Sequence, residues 1–330
     1  MIDHEVRTLL KTLDAGFPAV HEMTGPEARA AVDARQAPPA DHGEVHAAQD
    51  RTIAGPGGDL PVRVYTPHGD APGGDPRPLM VFAHGGGFVF CSVDSHDGFC
   101  REAAASTGAV VVSVGYRLAP EHPAPAAAED FYAALCWAVE HARELHADPA
   151  RVAVAGDSAG GNLAAVACLL ARERSGPRVA AQALLYPVID PACDTPSHHR
   201  YATGHFNTRA AMRWYWRQYL HGGADDGGDP AIPAHHTAPL RAPSLRGLPP
   251  AVVVTADRDP LSDEGGAYAS ALAGAGVPVV HRRYPGLFHG FATIAPLGAA
   301  ASARALLWHD LGERLAPDPS ISSDEGKARA

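Results

Sequence analysis

Apolar residues change their spacing several times along the 330-residue chain, and the changes divide it. In the first forty residues VRTLLKTL repeats near 3.6, and Thr24 followed by Glu27 ahead of ARAAVDAR has the form of a capping box. This segment is expected to be helical and, since it precedes every strand, to form a layer of its own. From residue 50 the pattern becomes that of strands: RTIAG and LPVRVYTP flank GPGG, which reads as a hairpin turn. Apolar runs follow at 79–85 (LMVFAHG), 110–117 (VVVSVGYR), 151–156 (RVAVAG), 181–188 (AQALLYPV), 251–257 (AVVVTAD) and 277–284 (VPVVHRRY). Nearly all are rich in valine and do not alternate, as expected of strands covered on both faces.

Between these runs lie helix-like segments, GFCREAAASTG, AAEDFYAALCWAVEHAREL, GGNLAAVACLLARER and DEGGAYASALAGAG. Strand alternating with helix predicts an α/β protein with a mostly parallel, right-handed sheet led by an antiparallel hairpin. Residues 190–245 break the rhythm with the aromatic run MRWYWRQYL, the cluster HGGADDGGDP and several prolines, and are expected to lie over one end of the sheet. The expected division is a helical segment at 1–48, a sheet core at 49–189 and 246–316 interrupted by the 190–245 insertion, and a polar, disordered tail at 317–330.

Composition narrows the partners. A formal charge of −10 without any run of Lys or Arg argues against nucleic acid and against an anionic membrane surface, so a small neutral or modestly polar partner fits better. The start MIDHEVRTLLKTLDAGF has acids early and no continuous apolar stretch, which predicts neither signal peptide nor membrane anchor. Five cysteines without a CxxC pair suit reduced thiols, and the expectation is a cytoplasmic protein. The two lysines, Lys11 and Lys327, stand in the terminal segments, which excludes a GxxxxGK[ST] phosphate loop and a Ser–Lys nucleophile.

Chemistry concentrates at the ends of the predicted strands. GDSAGGN, from Gly156 to Asn162, follows RVAVA and opens a helix, so its GxSxG pattern sits at a strand-to-helix corner. There only small neighbours let the chain turn tightly enough to display Ser158 as a nucleophile, and the N–H of Ala159 lies free at the helix start. HGGGF, His84 to Phe88, follows LMVFA; consecutive glycines bring backbone N–H groups close to a ligand, as an oxyanion hole requires. A base must be chosen among 19 histidines by position. His289, in RRYPGLFHGF beyond the last strand, is the candidate, whereas His198–His199 and His235–His236 lie in the insertion with no strand to hold them. Metal ligation is not indicated: His141 and His146 are five apart and no HExxH occurs. Asp257, Asp259 and Asp263 follow AVVVTA, and by spacing either of the first two could orient the histidine.

HGGGF, GDSAGGN, DPLSDEG and YPGLFHGF in this order, with YRLAPEHPAPAAAED at Tyr116 to Asp130, resemble the hormone-sensitive-lipase-like branch of the α/β-hydrolase superfamily, the bacterial carboxylesterases of lipolytic family IV. The resemblance spans roughly residues 50–300. It implies an α/β-hydrolase fold with an eight-stranded, mostly parallel sheet and a mainly helical cap, and no cofactor or metal. It implies Ser158 as nucleophile, His289 as base, and Asp259, which opens the Asp-Pro-Leu context, as the acid. Gly86, Gly87 and the N–H of Ala159 would form the oxyanion hole, with Gly85 also in reach, while His84 and Glu121 would steady nearby loops. Phe88, Phe206, Trp214 and Tyr215 would line the substrate pocket. Arg258 departs from the hydrophobic residue usual before the acid. The function implied is hydrolysis of short- to medium-chain carboxylic esters through an acyl-enzyme. The alternatives are an amidase or acyltransferase, and a non-catalytic binding protein on the same scaffold, against which the presence of His289 argues. A homodimer is left open.

Overall fold

The computed structural model describes residues 4–40, 43–69, 75–223, 232–294 and 297–316. The expected tail at 317–330 and most of HGGADDGGDP lie outside them. Eight strands form one sheet: β1 (Ala47–Gly55), β2 (Gly58–Thr66), β3 (Arg77–Ala83), β4 (Val110–Val114), β5 (Ala147–Asp157), β6 (Ala181–Leu185), β7 (Ala251–Arg258) and β8 (Val279–Phe288), in the spatial order β1-β2-β4-β3-β5-β6-β7-β8. β1 and β2 pair antiparallel around Gly55↔Gly58, and β2 pairs antiparallel with β4; all other pairings are parallel.

The valine-rich runs do not alternate because both faces of the sheet are dry. Along β3, Leu79, Val81 and Ala83 enter one apolar cluster while Met80 and Phe82 enter the other, and all five are at most 1% exposed. Burying each of the four larger side chains is worth about 1.5–3 kcal/mol. Helices α4 (Ala126–Glu140), α5 (Ala159–Glu173) and α8 (Ser262–Gly274) cover the first face. The other is covered by α3 (Asp97–Thr107) and α9 (Gly298–Leu315), where Phe99 meets Trp308 at 5.1 Å between ring centroids.

Two elements depart from the pattern reading. Helix α9 is not among the segments assigned from sequence, because its start, GAAASARA, is too rich in alanine to show an apolar period; Leu307, Trp308 and Leu311 supply its buried stripe. Strand β8 runs four residues past the expected end, through Pro285, to Phe288. β8 is an edge strand, where a proline's missing N–H costs no ladder bond.

The remaining helices are α1 (His4–Gly16), α2 (Gly25–Asp33), the short α6 (Pro196–Arg200) and α7 (Arg209–His221), of which α1, α2 and α7 contribute residues around the cavity at the carboxyl ends of the strands. The N-terminal segment and the insertion touch: the Trp214 indole N–H on α7 donates to the Met23 carbonyl at 3.1 Å. α2 begins in the capping box its sequence announces, with the Glu27 N–H donating to the Thr24 hydroxyl at 3.4 Å and the Thr24 N–H donating to the Glu27 carboxylate at 2.9 Å. Thr24→Ala is expected to lower stability by about 1 kcal/mol, read as a lower urea midpoint at unchanged m-value.

Candidate active site

The corner between β5 and α5 is shaped by what cannot fit there. Ser158 has φ +55°, a conformation L residues rarely hold outside turns and strained sites. A Cβ on Gly156 would lie 2.3 Å from the Gly160 carbonyl group, and one on Gly160 would lie 2.0 Å from the Ala83 carbonyl oxygen. Strand and helix therefore cross at backbone contact. The strain is held by hydrogen bonds to the end of β6 and the residues after it: Ser158 N–H donates to the Leu185 carbonyl at 2.8 Å, and the Ser158 carbonyl accepts from the Val188 N–H at 3.1 Å. One turn on, the buried Asn162 amide donates to the carbonyls of Val188 (2.9 Å) and Thr237 (2.7 Å).

Ser158 Oγ lies 2.9 Å from His289 Nε2, and His289 Nδ1 lies 2.8 Å from Asp259 Oδ2. All three side chains are buried, Asp259 completely. A carboxylate only accepts, so Nδ1 carries the proton and Nε2 is free to accept from the Ser158 hydroxyl. The other Asp259 oxygen accepts the Leu261 N–H at 2.9 Å, and the Tyr186 ring packs on the imidazole at 61°, with centroids 4.9 Å apart. The choice that spacing left between Asp257 and Asp259 is made by direction: Asp257 pairs with Arg283 at 2.9 Å on the rim. Asp263 accepts the Ser197 N–H at 2.8 Å. Arg258 sits at the irregularity where β7 and β8 shift register and leaves the Asp259–His289 pair undisturbed.

The glycine turn after β3 faces this serine. Gly86 (φ +110°) and Gly87 (φ +60°) need glycine's freedom, and a Cβ on them would meet the Phe90 carbonyl oxygen at 2.2 Å and the Tyr215 ring at 2.3 Å. Among the described residues the N–H groups of Gly86, Gly87 and Ala159 make no hydrogen bond. Gly85 differs from the expectation: its N–H is taken by the Asp157 carboxylate at 2.8 Å, so it has no free donor to offer.

Asp157, which the sequence reading passed over, couples the two motifs. Its carboxylate also meets His96 Nε2 at 3.1 Å, and His96 Nδ1 lies 2.8 Å from the Ser95 hydroxyl. Burial opposes its charge, but His96, by charge and hydrogen bond, holds it below the usual carboxylate range. Its position beside Ser158 was visible in sequence; that it points back to Gly85 was not. His84 steadies the same turn, with Nδ1 donating to the Gly85 carbonyl at 2.7 Å and its ring stacked on Tyr116 at 4.2 Å. Glu121 acts through Arg29 of α2, which binds it with two nitrogens at 2.7 and 3.0 Å while donating to the carbonyls of Val89 and Ala119. No sequence signal marks Arg29 for this role, because its partners lie 60 to 92 residues away.

A cavity of about 440 Å³ opens over Ser158 and His289, roofed by Phe17, Val20, Phe206 and Tyr215. Phe206 and Tyr215, expected at a substrate pocket, line this cavity. Phe88 and Trp214 do not: Phe88 is buried behind the glycine turn, stacked on Tyr219 at 3.9 Å, and Trp214 is turned toward the Met23 carbonyl. Aromatic residues in a turn and on an amphipathic helix can face either way, and here the core claims both.

The sheet order and the serine, histidine and aspartate gathered at its carboxyl edge define the class of α/β-hydrolase-fold proteins. A family model described as alpha/beta hydrolase fold matches residues 80–293, and the chain belongs to that family, in the hormone-sensitive-lipase-like group whose motifs it carries. It is 46% identical over 259 residues to a carboxylic ester hydrolase of Mycobacterium tuberculosis, LipN, covering 77% of this chain and 66% of that protein's length. It is 41% identical over 309 residues to the carboxylesterase NlhH of the same organism, covering 92% and 94% of the two chains. A thermostable esterase of Pseudomonas putida superposes with a TM-score of 0.87 at 34% identity, covering 96% of this chain and 98% of that one.

Burial, followed by the charge of His96, pushes the His84 imidazole down to about 3. The ring is therefore neutral in the folded protein at any pH where its unfolded counterpart, near 6.5, begins to charge. Stability from this group is complete above about pH 6.5 and is lost as pH falls toward 3, by up to about 1.4 kcal/mol per pH unit. Melting temperatures between pH 6.5 and 4.5 should fall less steeply in His84→Gln than in the wild type; equal slopes would contradict the assignment.

Proposed function

We propose that the protein is a serine carboxylesterase that hydrolyses short- to medium-chain carboxylic esters through an acyl-enzyme. The observation that carries this reading is the unbroken chain Ser158 Oγ, His289, Asp259, at 2.9 and 2.8 Å, opening into an apolar cavity beside unpaired backbone N–H groups. His289 takes the Ser158 proton as Oγ attacks the ester carbonyl, and Asp259 keeps Nδ1 protonated and stabilises the imidazolium that forms. The N–H groups of Gly86, Gly87 and Ala159 hold the oxyanion. The imidazolium then passes its proton to the departing alcohol, and a water deprotonated by His289 releases the acid. The names of the two mycobacterial relatives and of the Pseudomonas esterase support ester over amide as the bond cleaved.

Asp157 and Arg29 belong in this reading as positioning residues that keep the glycine turn at its distance from Ser158. Among the described residues all five cysteines are free and no helix is long and apolar enough to cross a membrane. The free thiols support the expected cytoplasmic setting. The homodimer left open by the sequence gains little support from the surface, where Leu306 is the one large apolar side chain exposed among the described residues.

Ser158→Ala is expected to lower kcat for p-nitrophenyl butyrate by about six orders of magnitude, and wild-type Ser158 to react with a fluorophosphonate that the variant does not take up. Protein that neither turned over the ester nor became labelled would sink the proposal and favour the binding-protein alternative. Across p-nitrophenyl esters from acetate to palmitate, kcat/KM should peak below about C10, because the acyl chain must fit a cavity of about 440 Å³; a maximum at longer chains would indicate a lipase.

A further inference from the structure

The histidine pair at 235–236, set aside in the sequence for lack of a strand to hold it, is held by a helix instead. His235 and His236 end a short 3-10 turn, Ala234–His236, that lies along α5. Their rings stand at 74° with centroids 4.5 Å apart, and both turn toward one residue, Glu173, at the last position of α5. His235 Nε2 lies 2.9 Å from Glu173 Oε1 and His236 Nε2 lies 2.8 Å from Oε2, and the three donor groups fall within 4.8 Å of one another. None of the three takes part in the Ser158 site.

The arrangement is unusual for simple surface hydrogen bonding. Consecutive residues in a short turn normally send their side chains apart, whereas here both imidazoles converge on the same carboxylate. That carboxylate also sits at a helix C-terminus, where the aligned peptide dipoles disfavour negative charge and a cation would be welcome. Partial burial opposes its ionisation, but His236 and His235 hold Glu173 below the usual carboxylate range. The nearest other cation, Arg172, keeps one nitrogen 4.0 Å from Glu173 Oε1 and gives another to the carbonyls of Ser244 and Arg246. Arg174 is committed to Glu129.

We propose that Glu173, His235 and His236 form a binding site for a divalent transition metal ion, with zinc the best match to two imidazoles and one carboxylate. In the structure both Nε2–H groups donate to the carboxylate. On ligation each ring carries its one proton on Nδ1, Nε2 binds the metal, the cation takes the place of the two bridging hydrogens, and any further ring proton passes to solvent. Three protein donors leave one tetrahedral position for water. The ion would brace the insertion against α5, whose other end carries Ser158 and whose Asn162 already holds the Thr237 carbonyl next to His236. Its role is structural, and it does not rest on the esterase reading.

The test is a zinc titration of chelator-stripped protein near neutral pH, with Co2+ as a spectroscopic substitute. One zinc per chain is expected, with a Kd of about 1 μM or tighter, weakened about 100-fold in His236→Ala and in Glu173→Gln. His199→Ala, which removes an exposed imidazole beside Asp194, should leave the affinity unchanged. Bound Co2+ should show the intense visible bands of tetrahedral coordination in the wild type and lose them in His236→Ala. Equal zinc affinity in the wild type and both cluster variants would place the ion on other histidines and overturn the proposal, as would a wild-type Kd above about 100 μM. Circular dichroism confirms that the variants, all substituted near the surface, are folded.

Discussion

Everything at the candidate site depends on the close crossing of β5 and α5. With Ser158 at φ +55° and no room for a Cβ on Gly156 or Gly160, the helix starts within backbone contact of the strands beside it. That contact lifts the serine hydroxyl above the carboxyl edge of the sheet and leaves the first N–H groups of the helix facing the same space. The strain of a left-handed serine is sustainable because its neighbours are over-determined. The Ser158 N–H and C=O are tied to the end of β6 and to the residue Val188 beyond it, and the Asn162 side-chain NH2 is anchored to two carbonyls.

Two buried carboxylates flank this corner and are set to different work by their partners. Asp259 faces one imidazole and one backbone N–H, which leaves it oriented toward His289. Asp157 turns toward His96 and the Gly85 N–H, and so fastens the glycine turn to the strand that leads into Ser158. Arg29 fastens the far side of the same turn from α2. The helical layer is thus more than a lid: one of its arginines takes part in setting where Gly86 and Gly87 stand.

Much of the fold was legible because each apolar run is long and uninterrupted, and a strand buried on both faces has no other way to be written. β8 and α9 were the exceptions, and in each the local signal was diluted, by a proline that an edge strand tolerates and by alanines that fit a helix without marking a face. The positions of Ser158, Asp259 and His289 were legible for a related reason, since each lies directly after a recognisable strand and the chain order of the three matches the fold. Phe88 and Trp214 pack into the core rather than the cavity, because an aromatic ring serves a pocket and a core equally well, and composition does not say which it meets.

By itself the sequence determined the order of strands and helices, the corner that bears Ser158, and the glycines without which neither that corner nor the turn after β3 can be built. These are properties of neighbouring residues, where backbone sterics and periodic burial act over a few positions. Only the tertiary structure decided which aspartate faces His289, that the Gly85 N–H is consumed by Asp157, that Arg29 reaches across the layers, and that His235 and His236 meet Glu173. Each of those outcomes is a hydrogen bond or ion pair between side chains far apart in the chain. Its direction depends on how two packed elements are turned toward each other, and local spacing carries no record of that angle.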